Sequence, residues 1–370
     1  MNKKKSLPTH QRLILITLGV LLLGGLFILT TTSTPYSLRE FGEPNHFIKN
    51  QILKGVLPGL LLIFILSRLP ALDKFKKFIP VLFLIGLALL TSCFIPGIGN
   101  VAQDSARWVS LGPVSFQPAE FMKLFFILYF AYLLSAYIKD KKSALKTSLV
   151  FWMLIIPLGL VFYLQPDMST GAILVLSGII MYFASGVSLK TFFLNIFLLG
   201  GTGTLLLIQA NYRLERLKVF FNSNYEPLGS GYHLRQLKMA VASGRVFGKG
   251  LGLGSQKFGF LPHSINDSIF AIIGEELGFI GSISLIAVFV AFTVSCLIAA
   301  QKKRNLFQKL VIIGITSWFF IQFAIHVAVN IGAFPLTGVP LPFISYGGSA
   351  LLAELFAVGI LINVIFKPKT

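Results

Sequence analysis

Apolar runs long enough to cross a lipid bilayer recur from one end of this chain to the other, and nothing constrains its fold more. A helix needs about 20 apolar residues to span the hydrocarbon layer. Such stretches fall near 13–33, 50–67, 77–96, 117–138, 148–165, 170–187, 191–210, 268–299, 307–330 and 347–366. Backbone amides in hydrocarbon have no water to bond, so these segments are helices or strands of a closed barrel. The runs are unbroken rather than alternating, which argues against the barrel. The chain reads as an all-α integral membrane protein of about ten transmembrane helices. Of its 370 residues, 55% are hydrophobic and 12% charged, unlike a soluble globular domain. No second block of soluble composition appears, so residues 1–370 are read as a single polytopic membrane domain.

The first run follows a basic leader with Lys3, Lys4, Lys5 and Arg12. From Leu13 to Thr30 it is too long for a signal-peptide core and lacks a small-residue cleavage pattern, so it reads as a retained first span. Lysine and arginine in short loops orient the rest. The leader, Arg68/Lys74/Lys76/Lys77, Lys139/Lys141/Lys142/Lys146, Lys190, Lys302/Lys303/Arg304/Lys309 and Lys367/Lys369 all fall on one side when ten spans are threaded. The opposite short loops are nearly bare, which predicts both termini in the cytoplasm. The net charge of +19 is then mostly topogenic. Its division between two sides of a membrane excludes nucleic-acid binding as a reading. Cys93 and Cys296 both sit in apolar runs, and neither a disulfide framework nor a metal cluster is predicted.

One long polar stretch, residues 211–267, interrupts this pattern after the seventh span. It carries Arg213, Arg216, Lys218, Arg235, Lys238, Arg245, Lys249 and Lys257 against Glu215, Glu226 and Asp267. Such a surplus expects an anionic partner. Its location outside follows from the span count, because long loops are largely exempt from the charge rule. The glycines of Gly248-Lys-Gly250-Leu-Gly252-Leu-Gly254 allow close backbone approach to a ligand. They do not form a phosphate-binding Walker loop.

Polar residues recur at three other places on the same face. Asp104-Ser-Ala-Arg107-Trp108 leads to Gln117-Pro-Ala-Glu120-Phe-Met-Lys123. Glu120 and Lys123 share one helix face at i,i+3 spacing, either lining a wet cavity or neutralising each other. Trp108 is equally an interfacial anchor beside Arg107. In Gln165-Pro166-Asp167-Met-Ser169, Asp167 is placed to cap a helix. Asp267 is placed at the outer start of the eighth span, where the helix dipole favours its charge. The segment from Asn330 to Ser349 is too rich in proline and glycine for a continuous helix. His326 reads as a packing residue. No Ser-His-Asp set and no His-Glu-x-x-His spacing occurs. Carboxylates with basic groups on one face suit a general base acting on a hydroxyl, with cations stabilising a phosphate leaving group.

Pro340-Leu-Pro-Phe-Ile-Ser345-Tyr-Gly-Gly-Ser349 resembles the motif of the SEDS proteins (shape, elongation, division and sporulation), the family of FtsW, RodA and SpoVE. Arg107-Trp108, Leu111-Gly-Pro, Gln117-Pro-Ala-Glu120, Gln165-Pro-Asp167, Gly231-Tyr232, Gly250-Leu-Gly, Leu261-Pro, Asp267 and Gly274-Glu-Glu-Leu-Gly278 resemble its motifs in order. The Gly274 and Gly250 segments lean toward FtsW over RodA. The resemblance implies a membrane glycosyltransferase that polymerises lipid II into peptidoglycan strands at the outer face of the bacterial cytoplasmic membrane, in division or cell-shape maintenance. It implies a class B penicillin-binding protein as partner. Asp267 matches the family's essential loop aspartate, and Trp108, Glu120, Lys123 and Asp167 match residues of its central cavity. With them Arg107, Gln117, Arg213, Arg216, Arg245, Lys249, Lys257 and Ser345 are the candidate substrate-binding set. A divalent cation, Mg2+ or Mn2+, is a further candidate for meeting the leaving group's charge. The family's usual Leu-Pro-Glu-x-His-Thr-Asp-Phe is altered here at His263, Ile265, Asn266 and Ser268, and Ser169 replaces a usual glycine. A lipid II flippase and a non-catalytic scaffold for the penicillin-binding protein are the alternative readings.

Overall fold

The computed structural model describes residues 7–367 apart from 103–104, 113, 140–143, 209–210, 223–224, 226–228 and 230. Side chains are also outside the description at 100–102, 105–106, 111, 114, 138–139, 144–145, 205–208 and 211–213. Asp104 and the side chain of Arg213 therefore lie outside the described residues.

Helices stand at the expected spans: α1 (Thr9–Phe41), α2 (His46–Gln51) continuing through a π-helical turn at Ile52–Val56 into α3 (Leu57–Arg68), α4 (Ile79–Ser92) and α5 (Pro118–Lys139). After them come α6 (Ala144–Leu164), α7 (Met168–Ala184) and α8 (Leu189–Ile208). Two shorter helices, α9 (Asn211–Phe221) and α10 (Tyr232–Ser243), precede α11 (Ile269–Gln301), α12 (Leu306–Asn330) and α13 (Gly348–Phe366). Among the described residues, eight helices are long and apolar enough to cross a membrane, and α7 is a shorter apolar one. The chain is a multi-pass membrane protein.

The most enclosed spans are α5, α12 and α13, whose apolar windows are 78%, 72% and 67% buried. They form the centre of the bundle: α12 packs on α5, α7 and α11, while α13 packs on α3. The peripheral spans turn most of their apolar side chains outward; Leu23, Phe64, Leu84 and Phe197 are all exposed, as lipid-facing residues are.

Two features depart from the sequence-based picture. Residues 99–116 form a three-stranded antiparallel sheet, β1 (Gly99–Ala102), β2 (Ser105–Leu111) and β3 (Val114–Phe116), in order β1-β2-β3. The fold is thus helical with one small sheet, which carries Arg107 and Trp108 on β2. These strands are too short and too mixed in composition to announce themselves as alternating runs.

The second departure lies late in the basic stretch, where the chain following α10 packs around a break in α11. Gly278 takes φ 67°, ψ −162° inside that helix, a conformation open to glycine and costly for other residues. The break frees backbone groups inside an apolar helix, where each must find a protein partner. The chain after α10 supplies them: Lys249 and Gly250 donate to the Glu275 and Glu276 carbonyls at 2.9 and 3.0 Å, and Phe279 and Ile280 donate to the Arg245 and Val246 carbonyls at 2.9 and 3.1 Å. The glycines here serve close backbone packing against α11 rather than a ligand.

A polar cavity as candidate active site

A cavity of about 640 Å³ opens among β2, β3, α5, the start of α7, the 266–267 loop and the 338–350 segment. It gathers Arg107, Trp108, Gln117, Glu120, Lys123, Asp167 and Asp267 from the candidate set. Sequence reasoning missed four of its other polar residues, Lys54, Asn266, Gln322 and Ser349. Lys54 and Gln322 carried a signal, since a polar side chain inside an apolar run usually faces a protein interior or a wet space.

The floor is a buried network. Lys123 Nζ lies 2.9 Å from Glu120 Oε2 and donates to Gln322 Oε1 at 2.9 Å. Trp318 Nε1 donates to the same oxygen at 2.8 Å, and Gln322 Nε2 donates to Glu354 Oε1 at 3.3 Å. The Glu120–Lys123 pair is therefore both things the sequence allowed, a self-neutralising pair and a cavity lining. Asp167 caps α7 through the Thr170 amide at 3.4 Å and accepts from Gln117 Nε2 at 3.3 Å. Arg107 donates to the Gln165 carbonyl at 3.4 Å and to that of Pro166.

Asp267 sits half-buried on the wall. The N-cap of α11 is Ser268, so Asp267 lies one residue before the cap of that helix. No hydrogen bond engages its side chain among the described residues. Burial raises its pKa above the ordinary aspartate value, against the opposing pull of His263, Arg216 and Arg107. Its backbone is held tightly instead. Asn330 Nδ2 donates to the Asp267 carbonyl at 3.0 Å, and Asn330 Oδ1 accepts from the Ala271 amide at 3.0 Å. Ser345 Oγ donates to the Asn266 carbonyl at 2.6 Å and accepts from the Leu341 amide at 2.8 Å. The Tyr346 amide donates to the Ile265 carbonyl at 2.9 Å. The Pro340–Ser349 motif is thus the bracket that carries the 265–267 loop.

Ser345 is accordingly corrected from substrate ligand to positioning residue, buried with its hydroxyl doubly used. Ser345→Ala is expected to cost about 1–3 kcal/mol of stability by stranding the Leu341 amide and the Asn266 carbonyl. Thermal unfolding in detergent checks this.

Three further candidates do not reach the cavity. Lys249 Nζ is 2.7 Å from Glu275 Oε1 and Lys257 Nζ is 2.7 Å from Glu276 Oε1. Both lysines are committed to neutralising carboxylates at the broken helix rather than an external anion. Arg245 lies exposed at the same turn, its carbonyl bonded to Phe279. Arg216 is near: it donates to the Leu336 carbonyl at 3.0 Å and its charge acts on Asp267.

The altered flanks of Asp267 find partners of their own. Ser268 Oγ donates to the Pro262 carbonyl at 2.9 Å and lies 2.8 Å from His233 Nε2. A hydroxyl has one proton to give, so the imidazole donates here. Burial, with the charges of His263 and Arg216, lowers the His233 pKa to about 4, so His233 is neutral at pH 7. Ser169 Oγ donates to the Thr337 carbonyl at 2.7 Å, fixing the turn that brings Gly338 against Asp267. His326 Nδ1 lies 2.7 Å from the Val339 carbonyl, a packing residue as expected.

Gly338 has φ +68°, and a Cβ there would stand 3.3 Å from Asp267 Oδ2. An L-residue in this backbone region costs about 1–2 kcal/mol, and the added methyl would crowd the carboxylate. Gly338→Ala is expected to cut turnover about ten- to a hundredfold with assembly of the bundle intact. Initial rates beside a detergent melting curve measure the two effects separately.

Comparison with known proteins bears on the family and the fold. The model of the FtsW/RodA/SpoVE family, described as cell cycle protein, matches residues 11–369. A probable peptidoglycan glycosyltransferase FtsW of Coxiella burnetii is 35% identical over 360 residues, covering 96% of both chains. The stage V sporulation protein E of Bacillus subtilis is 36% identical over 367 residues, covering 98% of both. Among solved structures, a chain of a peptidoglycan synthase complex superposes with TM-score 0.75 at 21% identity, covering 95% of this chain and 96% of that one. The rod shape determining protein RodA of Thermus thermophilus gives TM-score 0.66 at 22% identity, covering 95% of each. A cavity built in order from the motifs of that family, a match along nearly the whole length and a shared fold lead to one conclusion: this chain belongs to the FtsW/RodA/SpoVE family of SEDS membrane proteins.

Proposed function

We propose that the chain is a peptidoglycan glycosyltransferase that polymerises lipid II at the outer face of the bacterial cytoplasmic membrane. Asp267 carries the reading. It is a carboxylate on a cavity wall with its backbone strapped in place, its side chain uncommitted among the described residues and its proton affinity raised by burial. A general base needs that combination. The relatives named peptidoglycan glycosyltransferase support the reaction class.

In this mechanism Asp267 takes the proton from the acceptor's GlcNAc 4-hydroxyl. That oxygen attacks the anomeric carbon of the donor's MurNAc. The bond from that carbon to the phosphate oxygen breaks, and undecaprenyl diphosphate leaves with the electron pair, inverting the centre. Arg107 lines the reaction space, and Arg216 lies beside the Asp267 loop, where its positive charge favours the departing anion. Among the described residues, no three His, Cys, Asp or Glu side chains converge on a metal-sized site. In the cavity Glu120 is paired with Lys123, and Asp167 is spent on its cap and on Gln117. A divalent cation thus lacks a protein-built cage among the described residues. Both termini lie in the cytoplasm in this scheme, and a class B penicillin-binding protein crosslinks the product.

Purified chain in detergent, given lipid II, tests the proposal. Detergent offers no second compartment, so a flippase yields no glycan there. Glycan strands that form support polymerisation; transport in vesicles with none in detergent supports a flippase. Capture of a penicillin-binding protein without either activity supports a scaffold.

A further inference from the structure

We propose that Lys54 is a diphosphate-binding residue of the cavity, a role that rests on the polymerase reading. Among the described residues, three cations line this space: Arg107, Lys123 and Lys54. Arg107 is spent on the Gln165 and Pro166 carbonyls, and Lys123 on Glu120 and Gln322. Lys54 remains exposed to the cavity, and no hydrogen bond or ion pair engages its ammonium among the described residues. A lysine in an apolar span is expensive, and it is tolerated where it faces a wet space or a charge partner.

Its placement is specific. Lys54 lies in the π-helical turn Ile52–Val56, a distortion frequent at functional sites. One turn earlier, Gln51 donates from Nε2 to the Ser345 carbonyl at 3.2 Å and accepts from the Gly347 amide at 3.0 Å. These bonds pin the span to the same bracket that carries the Asp267 loop. Position 348 is glycine, and a Cβ there would stand 3.0 Å from Lys54 Cβ. The stem of Lys54 therefore passes tightly against the first turn of α13 on its way to the cavity. One wall thus presents a carboxylate for the proton of the attacking hydroxyl, and another presents a cation with no partner among the described residues for the group that departs. A lipid-linked diphosphate is the anion whose chemistry fits that second role.

Tryptophan fluorescence reports the binding directly, because Trp108 lines the cavity. Full-length protein in neutral detergent is titrated with undecaprenyl diphosphate, and with undecaprenol as the uncharged control. Lys54→Met and Lys54→Gln are expected to raise Kd for the diphosphate about tenfold, the loss of one charged hydrogen bond. Lys54→Arg is expected to keep it within about threefold, since a guanidinium also pairs with phosphate. Undecaprenol binding should not move. Unchanged diphosphate affinity in both neutral variants, each monodisperse and melting like wild type, overturns the proposal. So does an equal loss for undecaprenol, which marks a packing role. The polymerase reading fails separately: wild-type protein that binds the diphosphate through Lys54 yet makes no glycan keeps this assignment and loses that one.

Discussion

Asp267→Asn is expected to reduce lipid II polymerisation to background, a loss of about 10²–10⁴-fold for removal of a general base, while the protein becomes no less stable. The second half of that result follows from linkage. The folded state raises the Asp267 pKa above its ordinary value of 3.8, chiefly through burial. Folded protein then binds this proton more tightly than unfolded protein does. Its stabilising contribution is complete below the unfolded pKa and is lost as pH rises through the folded pKa. As pH rises the wild type therefore gives up that contribution, whereas the neutral amide has no proton to lose. Asparagine also keeps the backbone amide and carbonyl, so the bond from Asn330 to the residue 267 carbonyl persists. A melting curve in detergent should show the variant equal to or above wild type, beside a flat polymerisation trace. The pH profile of kcat/KM gives an independent reading: activity should fall on acidification, with its acid limb above 3.8. Polymerisation that survives in the variant would remove Asp267 from the chemistry. Loss of activity accompanied by a lowered melting point would make it structural.

The spans were legible because membrane insertion leaves a crude requirement, apolar length, that is met locally. Where α11 and α12 begin and end needs no knowledge of their neighbours. The cavity was legible in part for a related reason: Glu120 and Lys123 are charges where hydrocarbon is expected, and such charges face inward, whereas Asp167, in a turn between spans, reached the candidate set through the resemblance. The same argument, applied to Lys54 and Gln322 in apolar runs, reaches the cavity residues that were passed over. Counting charge along the 211–267 stretch failed for Lys249 and Lys257 because a surplus says nothing about pairing. Glu275 and Glu276 stand inside the following span and had to be neutralised by something. The break at Gly278 was not readable, since a single glycine in an apolar helix is common and its φ is set by tertiary contacts. The bracket joining Ser345, Asn330 and Asp267 is longer-range still. The helices α11 and α12 run between Asp267 and the Asn330 and Ser345 side chains that hold its loop, and only the folded bundle brings them together.

The buried pair Lys257–Glu276 offers the sharpest contrast between the charge-count reading and the folded protein. Its side chains are 2% and 4% exposed and 2.7 Å apart. Lys257 also donates to the Thr31 carbonyl in α1 at 3.2 Å, and Glu276 Oε2 accepts from the Gly252 amide at 3.0 Å. Lys257→Met strands a buried carboxylate and is expected to cost about 3–5 kcal/mol. Glu276→Gln strands the ammonium at similar cost. Replacing both together removes the uncompensated charge, and a buried pair exchanged for neutral groups is often close to neutral in stability. Glutamine can still accept from the Gly252 amide, so the double variant should recover most of the loss. A double-mutant cycle on unfolding free energies would give a large positive coupling. Activity distinguishes the two roles. A clamp that braces the broken helix behind Asp267 regains polymerisation when both charges go, because the brace is restored. A lysine that grips the substrate's diphosphate cannot be rescued by changing its internal neighbour. A stable double variant that stays inactive would return Lys257 to the substrate-binding set. One that polymerises at near wild-type rate fixes it as structure.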